Sequence, residues 1–85
     1  MFREKQKRWR KVSTEVARLL TEERIKAGLS MSAVAERGGI SQQMVSYVER
    51  EIRNPTLSTM IRMTDAIGVD LAKVIREAIN RTDTQ

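Results

Sequence analysis

Leu29 to Glu49 reads LSMSAVAERGGISQQMVSYVE, and this stretch decides the fold. Val34 and Ala35 before the glycines, and Val45 and Val48 after them, sit at helical spacing and mark two short helices, Met31 to Gly38 and Gln42 to about Arg50. Met44 is a further candidate for the inner face. Ser30 and Ser41 stand as N-caps, each able to offer a side-chain oxygen to first-turn amides. Only Gly39 and Ile40 are left for the turn. So short a link forces the two helices to cross steeply and closely. That accounts for Ala35, where a larger side chain would hold them apart, and for Gly39, where positive φ is cheap. The second helix opens with Gln42 and Gln43, the leading candidates for functional residues.

The surrounding chain is 85 residues long, enough for one domain with one modest core. Composition is globular, 40% hydrophobic and 32% charged, and the apolar residues recur at intervals without a run able to cross a bilayer. The basic N-terminus lacks the apolar segment and cleavage site of a signal peptide, so a cytoplasmic protein with no membrane partner is expected. There are no cysteines and no histidines. Disulfides, thiolate or imidazole metal sites, cysteine nucleophiles and the usual general base are thereby removed, and no metal or cofactor is expected. Glu22, Glu23 and Glu36 lie on polar helix faces with no nucleophile and base beside them, so an enzyme is the least expected class.

Net charge is +5, and the placement of the charge says more than its size. Arg3, Lys5, Lys7, Arg8, Arg10 and Lys11 face only Glu4 within residues 1–12, while the rest of the chain is balanced. The domain divides into a basic N-terminal arm (1–12), a helical body (13–80) and a frayed C-terminus (81–85). Lys7, Arg8, Arg10 and Lys11 are either a solvated tail or an arm for a polyanion. Trp9, Val12, Val16 and Leu20 recur at i, i+3, i+7 and i+11, which allows one helix through the arm. Ser13 or Thr14 as an N-cap, with Glu15 in the first turn, starts the helix afresh and is the favoured reading.

The first helix, Ser13 to Ala27, puts Val16, Ala17, Leu20 and Arg24 on one stripe and ends at Gly28. Arg24 on an apolar stripe needs explaining. After the polar loop EIRNP, Pro55 and Thr56 open a fourth helix with Leu57, Met60, Ile61, Thr64 and Ile67 at helical spacing, closed by Gly68. Asp70 caps a fifth, whose stripe is Leu71, Val74, Ile75, Ala78 and Ile79. Leu71 and Val74 are expected inward, with Ile75, Ala78 and Ile79 toward a second copy as a homodimer interface. No alternating strand pattern is present, and the fold class is all-α with five helices.

Ala35, Gly39, Val45 and Val48, together with RIKAGLS (24–30), GISQQMVSYVE (39–49), RNPTL (53–57) and AIGVDL (66–71), resemble in order the helix-turn-helix of the Cro and phage-repressor (XRE) family. The resemblance covers residues 13 to about 75 and implies a lambda-repressor-like five-helix domain. It further implies a transcriptional regulator that is two-fold dimeric, with its third helix in the major groove of double-stranded DNA. On that basis Gln42, Gln43 and Tyr47 are expected at bases, with Met44 and Ser46 secondary. Glutamine suits the role, since its flat amide pairs bidentately with adenine. Phosphate contacts are expected from Ser30, Ser41, Arg50, Arg53 and Asn54. The resemblance pairs Arg24 with Glu49 as an internal ion pair.

Three positions depart from the family. Met31 stands where a phosphate-reaching glutamine is frequent. Gly38 replaces an apolar core residue and is expected to loosen the end of the second helix. Glu51 stands where glycine is usual, so it is strained if the position requires positive φ. Length and the long last helix also look like restriction-modification controllers or an antitoxin of similar fold. A helical protein-interaction module that keeps the fold without reading DNA is the alternative function, and no small-molecule ligand is evident.

Overall fold

The computed structural model describes residues 2–84, with side chains from Lys7 onward. Arg3, Glu4 and Lys5, counted above in the basic arm, have side chains outside the described residues, as do Phe2 and Gln85. Five helices follow in order: α1 (Phe2–Lys26), α2 (Met31–Gly38), α3 (Gln42–Glu49), α4 (Leu57–Ile67) and α5 (Leu71–Asp83). Among the described residues no strand forms, and no helix is long and apolar enough to cross a membrane.

The middle of the chain is punctuated as its caps dictate. Ser30, Ser41, Thr56 and Asp70 each accept a hydrogen bond from an amide of the helix that follows. Gly28, Gly39 and Gly68 supply left-handed stops. Pro55 precedes the Thr56 cap and stays outside α4.

The N-terminus corrects the expected boundary. α1 passes through Ser13 without a break, because the Ser13 hydroxyl donates to the Trp9 carbonyl one turn back at 2.8 Å and caps nothing. The hydroxyl of Thr14 donates instead to the Glu51 carboxylate at 2.8 Å, fastening α1 to the loop after α3. Glu15 is no first-turn dipole residue either: it is buried, with Arg18 at 2.9 Å and Arg81 at 3.6 Å. Nor is the far end frayed over residues 81–83. α5 runs to Asp83, held against α1 by Arg8–Asp83 and Arg81–Glu22, each a pair of hydrogen bonds at 3.1 Å. α5 packs antiparallel along α1: Arg8 meets Asp83 at one end, while Glu23 and Lys26 face Asp70 at the other.

Leu20, Val34, Val45, Val48, Met63, Thr64 and Ala78 form the centre of the core, with Val16, Leu19, Ala66, Ile67 and Val74 around it. One expectation fails here. Ala78 is fully buried within its own chain at 0% exposure and is unavailable to a partner, because a small residue lets α5 lie close on α1. Leu57 and Ile61 are 61% and 43% exposed. α4 turns Met63 and Ala66 inward, and it comes close to α2 at Gly38, where a Cβ would stand 3.0 Å from the Arg62 carbonyl oxygen. Leu71 is only half-buried.

Hydrogen bonds from Arg81 hold the Glu22 carboxyl below its usual range, and Arg8 does the same for Asp83. A carboxyl whose folded value is lowered stabilises the fold above its unfolded value, and that contribution disappears as pH falls through the lower folded value. Thermal melts are expected to be level down to about pH 5 and to decline below about pH 4, where carboxyls protonate. Arg8→Ala combined with Arg81→Ala should remove part of that decline; an unchanged pH slope would contradict the pairing.

Candidate nucleic-acid interface

The turn between α2 and α3 is held from three directions. The Gly39 amide bonds the Ala35 and Glu36 carbonyls at φ +67°, and the Ile40 amide returns to Ala35 at 3.0 Å, closing α2 in a Schellman arrangement. Nη1 of Arg62, on α4, donates to the Gly38 and Gly39 carbonyls at 3.2 and 3.4 Å. Gly38 therefore does not loosen α2: it admits the α4 backbone, and Arg62 ties down the orphan carbonyls of the turn. Sequence reasoning missed Arg62, whose position on a polar face of α4 carries no periodic signal.

A second fastening fixes α3 against α1. Arg24 Nε donates to Glu49 Oε2 at 2.7 Å and Nη2 to Oε1 at 3.0 Å, a bidentate pair whose side chains are 12% and 4% exposed. Arg24 Nη1 also donates to the Leu29 carbonyl at 2.9 Å, so α1, the loop before α2 and the end of α3 meet on one guanidinium. Hydrogen bonding to Glu49 raises the Arg24 pKa above its usual value, and the group stays charged.

α3 ends in a way that answers the question posed by Glu51. Its φ is +61°, the only positive value at a non-glycine among the described residues. The strain, about 1 kcal/mol for an L-residue, is offset by the Glu51 and Ile52 amides bonding Val48 and Tyr47 carbonyls at 3.1 and 2.8 Å, and by the Thr14 contact.

On this frame α3 exposes Gln42 and Gln43 at its capped start, where the Ser41 hydroxyl accepts from the Met44 amide at 3.0 Å. Tyr47 is half-buried one turn on, and its hydroxyl accepts a hydrogen bond from Gln43 Nε2. Met44 and Ser46 are also half-buried, Met44 because it packs on the core. Arg50, Arg53 and Asn54 are exposed in the loop, and the Arg53 guanidinium lies 5.6 Å from the Tyr47 ring centroid. Ser30 caps α2 through the Ala33 amide at 3.0 Å, and Met31 packs against the core. Lys7, Arg10 and Lys11 are exposed on α1; Arg10 stacks 5.5 Å from the Trp9 centroid and Arg8 is engaged by Asp83.

This geometry is a capped helix, presented by a locked turn, with amides at its tip and guanidiniums beside it. The sequence model of the helix-turn-helix family matches residues 20–74. The chain belongs to the XRE-type helix-turn-helix family of DNA-binding regulators. A helix-turn-helix relative, the uncharacterized HTH-type transcriptional regulator y4dJ of Sinorhizobium fredii, is 38% identical over 64 residues, covering 75% of this chain and 78% of its own. The family match omits the first part of α1 and most of α5. Those two segments pack on each other, with Arg8 bonded to Asp83.

Proposed function

We propose that the protein is a sequence-specific DNA-binding transcriptional regulator that acts as a homodimer on a pseudo-palindromic operator, with α3 entering the major groove. The observation that carries this reading is the exposure of Gln42 and Gln43 at the capped start of a helix fixed by both the Arg62 lock and the Arg24–Glu49 pair. A preorganised helix keeps the entropic cost of docking low, and glutamine amides offer the donor and acceptor that a base edge requires. The relative's name, that of a transcriptional regulator, supports the same reading.

Around those bases, the exposed Arg50, Arg53 and Asn54 and the N-terminal ends of α2 and α3, with Ser30 and Ser41, are suited to phosphates. Lys7, Arg10 and Lys11 extend the positive surface along α1. With the buried Ala78 excluded, Ile75 and Ile79 on the flank of α5 are the surface proposed for the second copy. A dimer places two recognition helices about one DNA turn apart, which fits an operator with two-fold symmetry.

Selection of bound duplexes from a random library tests the function. A two-fold symmetric motif is expected, and failure to enrich any motif, with no binding even at low salt, would contradict it and leave a protein-interaction module. Light scattering during size exclusion at micromolar protein should give a dimer that Ile75→Asp with Ile79→Asp dissociates. A strict monomer would remove the two-fold part of the proposal.

A further inference from the structure

Tyr47 joins the exposed tip of α3 to the loop that follows it. Its hydroxyl takes a hydrogen from Gln43 Nε2, Arg53 covers its ring at 5.6 Å, and its main-chain carbonyl accepts the Ile52 and Arg53 amides at 2.8 and 3.3 Å. Tyr47 is half-buried with Arg53 over its ring, so its hydroxyl is a fixed hydrogen-bond partner for the Gln43 amide. Water would satisfy an exposed glutamine equally well, which makes the internal bond a matter of orientation more than of stability.

We infer that Tyr47 is a positioning residue that sets which base Gln43 reads, a role that rests on α3 being the base-reading helix. A free glutamine amide discriminates poorly, because its broad terminal torsion leaves the plane of the amide undefined. The bond to Tyr47 fixes the plane of the amide, with Nε2 on the hydroxyl and one amide hydrogen occupied. Oε1 and the remaining N–H then stand side by side, one acceptor and one donor. That pair matches the major-groove edge of adenine, with its N6 donor and N7 acceptor, and mismatches guanine, where N7 and O6 both accept. Arg53, stacked on the same ring, links this orientation to the adjoining backbone contact.

Tyr47→Phe tests the assignment, since it removes the hydroxyl and keeps the ring under Arg53. Fluorescence anisotropy is measured on the selected duplex and on duplexes with each half-site base pair changed in turn, for wild type, Tyr47→Phe, Gln43→Ala and the double variant, at several salt concentrations. At one base pair the adenine-over-guanine ratio is expected to fall roughly five- to tenfold in Tyr47→Phe. Preferences at other pairs and the salt slope should stay as they were, and on the Gln43→Ala background the second substitution should add nothing. An equal loss on every duplex with a shallower salt slope puts the hydroxyl on a phosphate and overturns the inference. Unchanged base preference overturns it too, as does a change at a pair that Gln43→Ala leaves alone. Wild-type protein without preference for any duplex is the separate result that removes base reading by α3 and this role with it.

Discussion

Glu49→Ala is expected to destabilise the domain by about 3 kcal/mol, because it strands a guanidinium that the fold has taken out of water. Arg24 would keep only the Leu29 carbonyl as partner, at a side-chain exposure of 12%. The loss is large beside the total of roughly 4–13 kcal/mol expected for a chain of this length, and it falls where α1, α2 and α3 meet. Replacing both partners, as Arg24→Met with Glu49→Leu, should recover most of the loss, since a well-packed apolar pair has no charge to leave unpaired. Urea unfolding followed by circular dichroism measures both effects. A change below about 1 kcal/mol for Glu49→Ala would place the pair among weak surface bridges and contradict its part in fixing α3.

Gln42→Ala combined with Gln43→Ala should have the opposite profile. Both side chains are exposed and alanine is a good helix former, so stability should hardly change. Discrimination should change greatly: with each bidentate base contact contributing about 1–3 kcal/mol, the affinity ratio of selected to scrambled duplex is expected to fall on the order of a hundredfold. Residual binding should persist with its salt dependence, carried by phosphate contacts that the substitutions do not touch. Anisotropy on the two duplexes checks this, and a preserved ratio would assign the reading to other residues. The two predictions separate the frame from the tip: one variant loses stability without touching a base, the other ignores bases without losing stability.

Most of the helix boundaries were legible because each is written locally. A serine, threonine or aspartate before an apolar repeat marks the start of α2, α3, α4 and α5, a glycine marks the end of α1, α2 and α4, and the structure uses those same side-chain caps and left-handed glycines. What was not legible depends on partners distant in the chain. Ser13 resembles a cap in isolation, yet Thr14–Glu51 and Arg8–Asp83 hold the helix through it. Gly38 looks like a weakness until α4 is beside it. Ala78 belongs to the apolar stripe of α5 by spacing alone; only the proximity of α1 decides that it is core. At the site, the four-residue step from Gln43 to Tyr47 was visible, but not that the two side chains bond or that Arg53 folds back over the ring.

The central claim is that the glutamines of α3 meet base edges in the major groove, and replacing N7 by carbon in the DNA tests it most directly. A selected duplex whose half-site purines are 7-deazapurines keeps its pairing, phosphates and minor groove, and loses only the major-groove N7 acceptors. Wild-type affinity should fall roughly tenfold, about the value of one or two hydrogen bonds, while the Gln42→Ala, Gln43→Ala variant should bind modified and unmodified duplexes alike. Equal affinity of the wild type for the two duplexes would contradict the account.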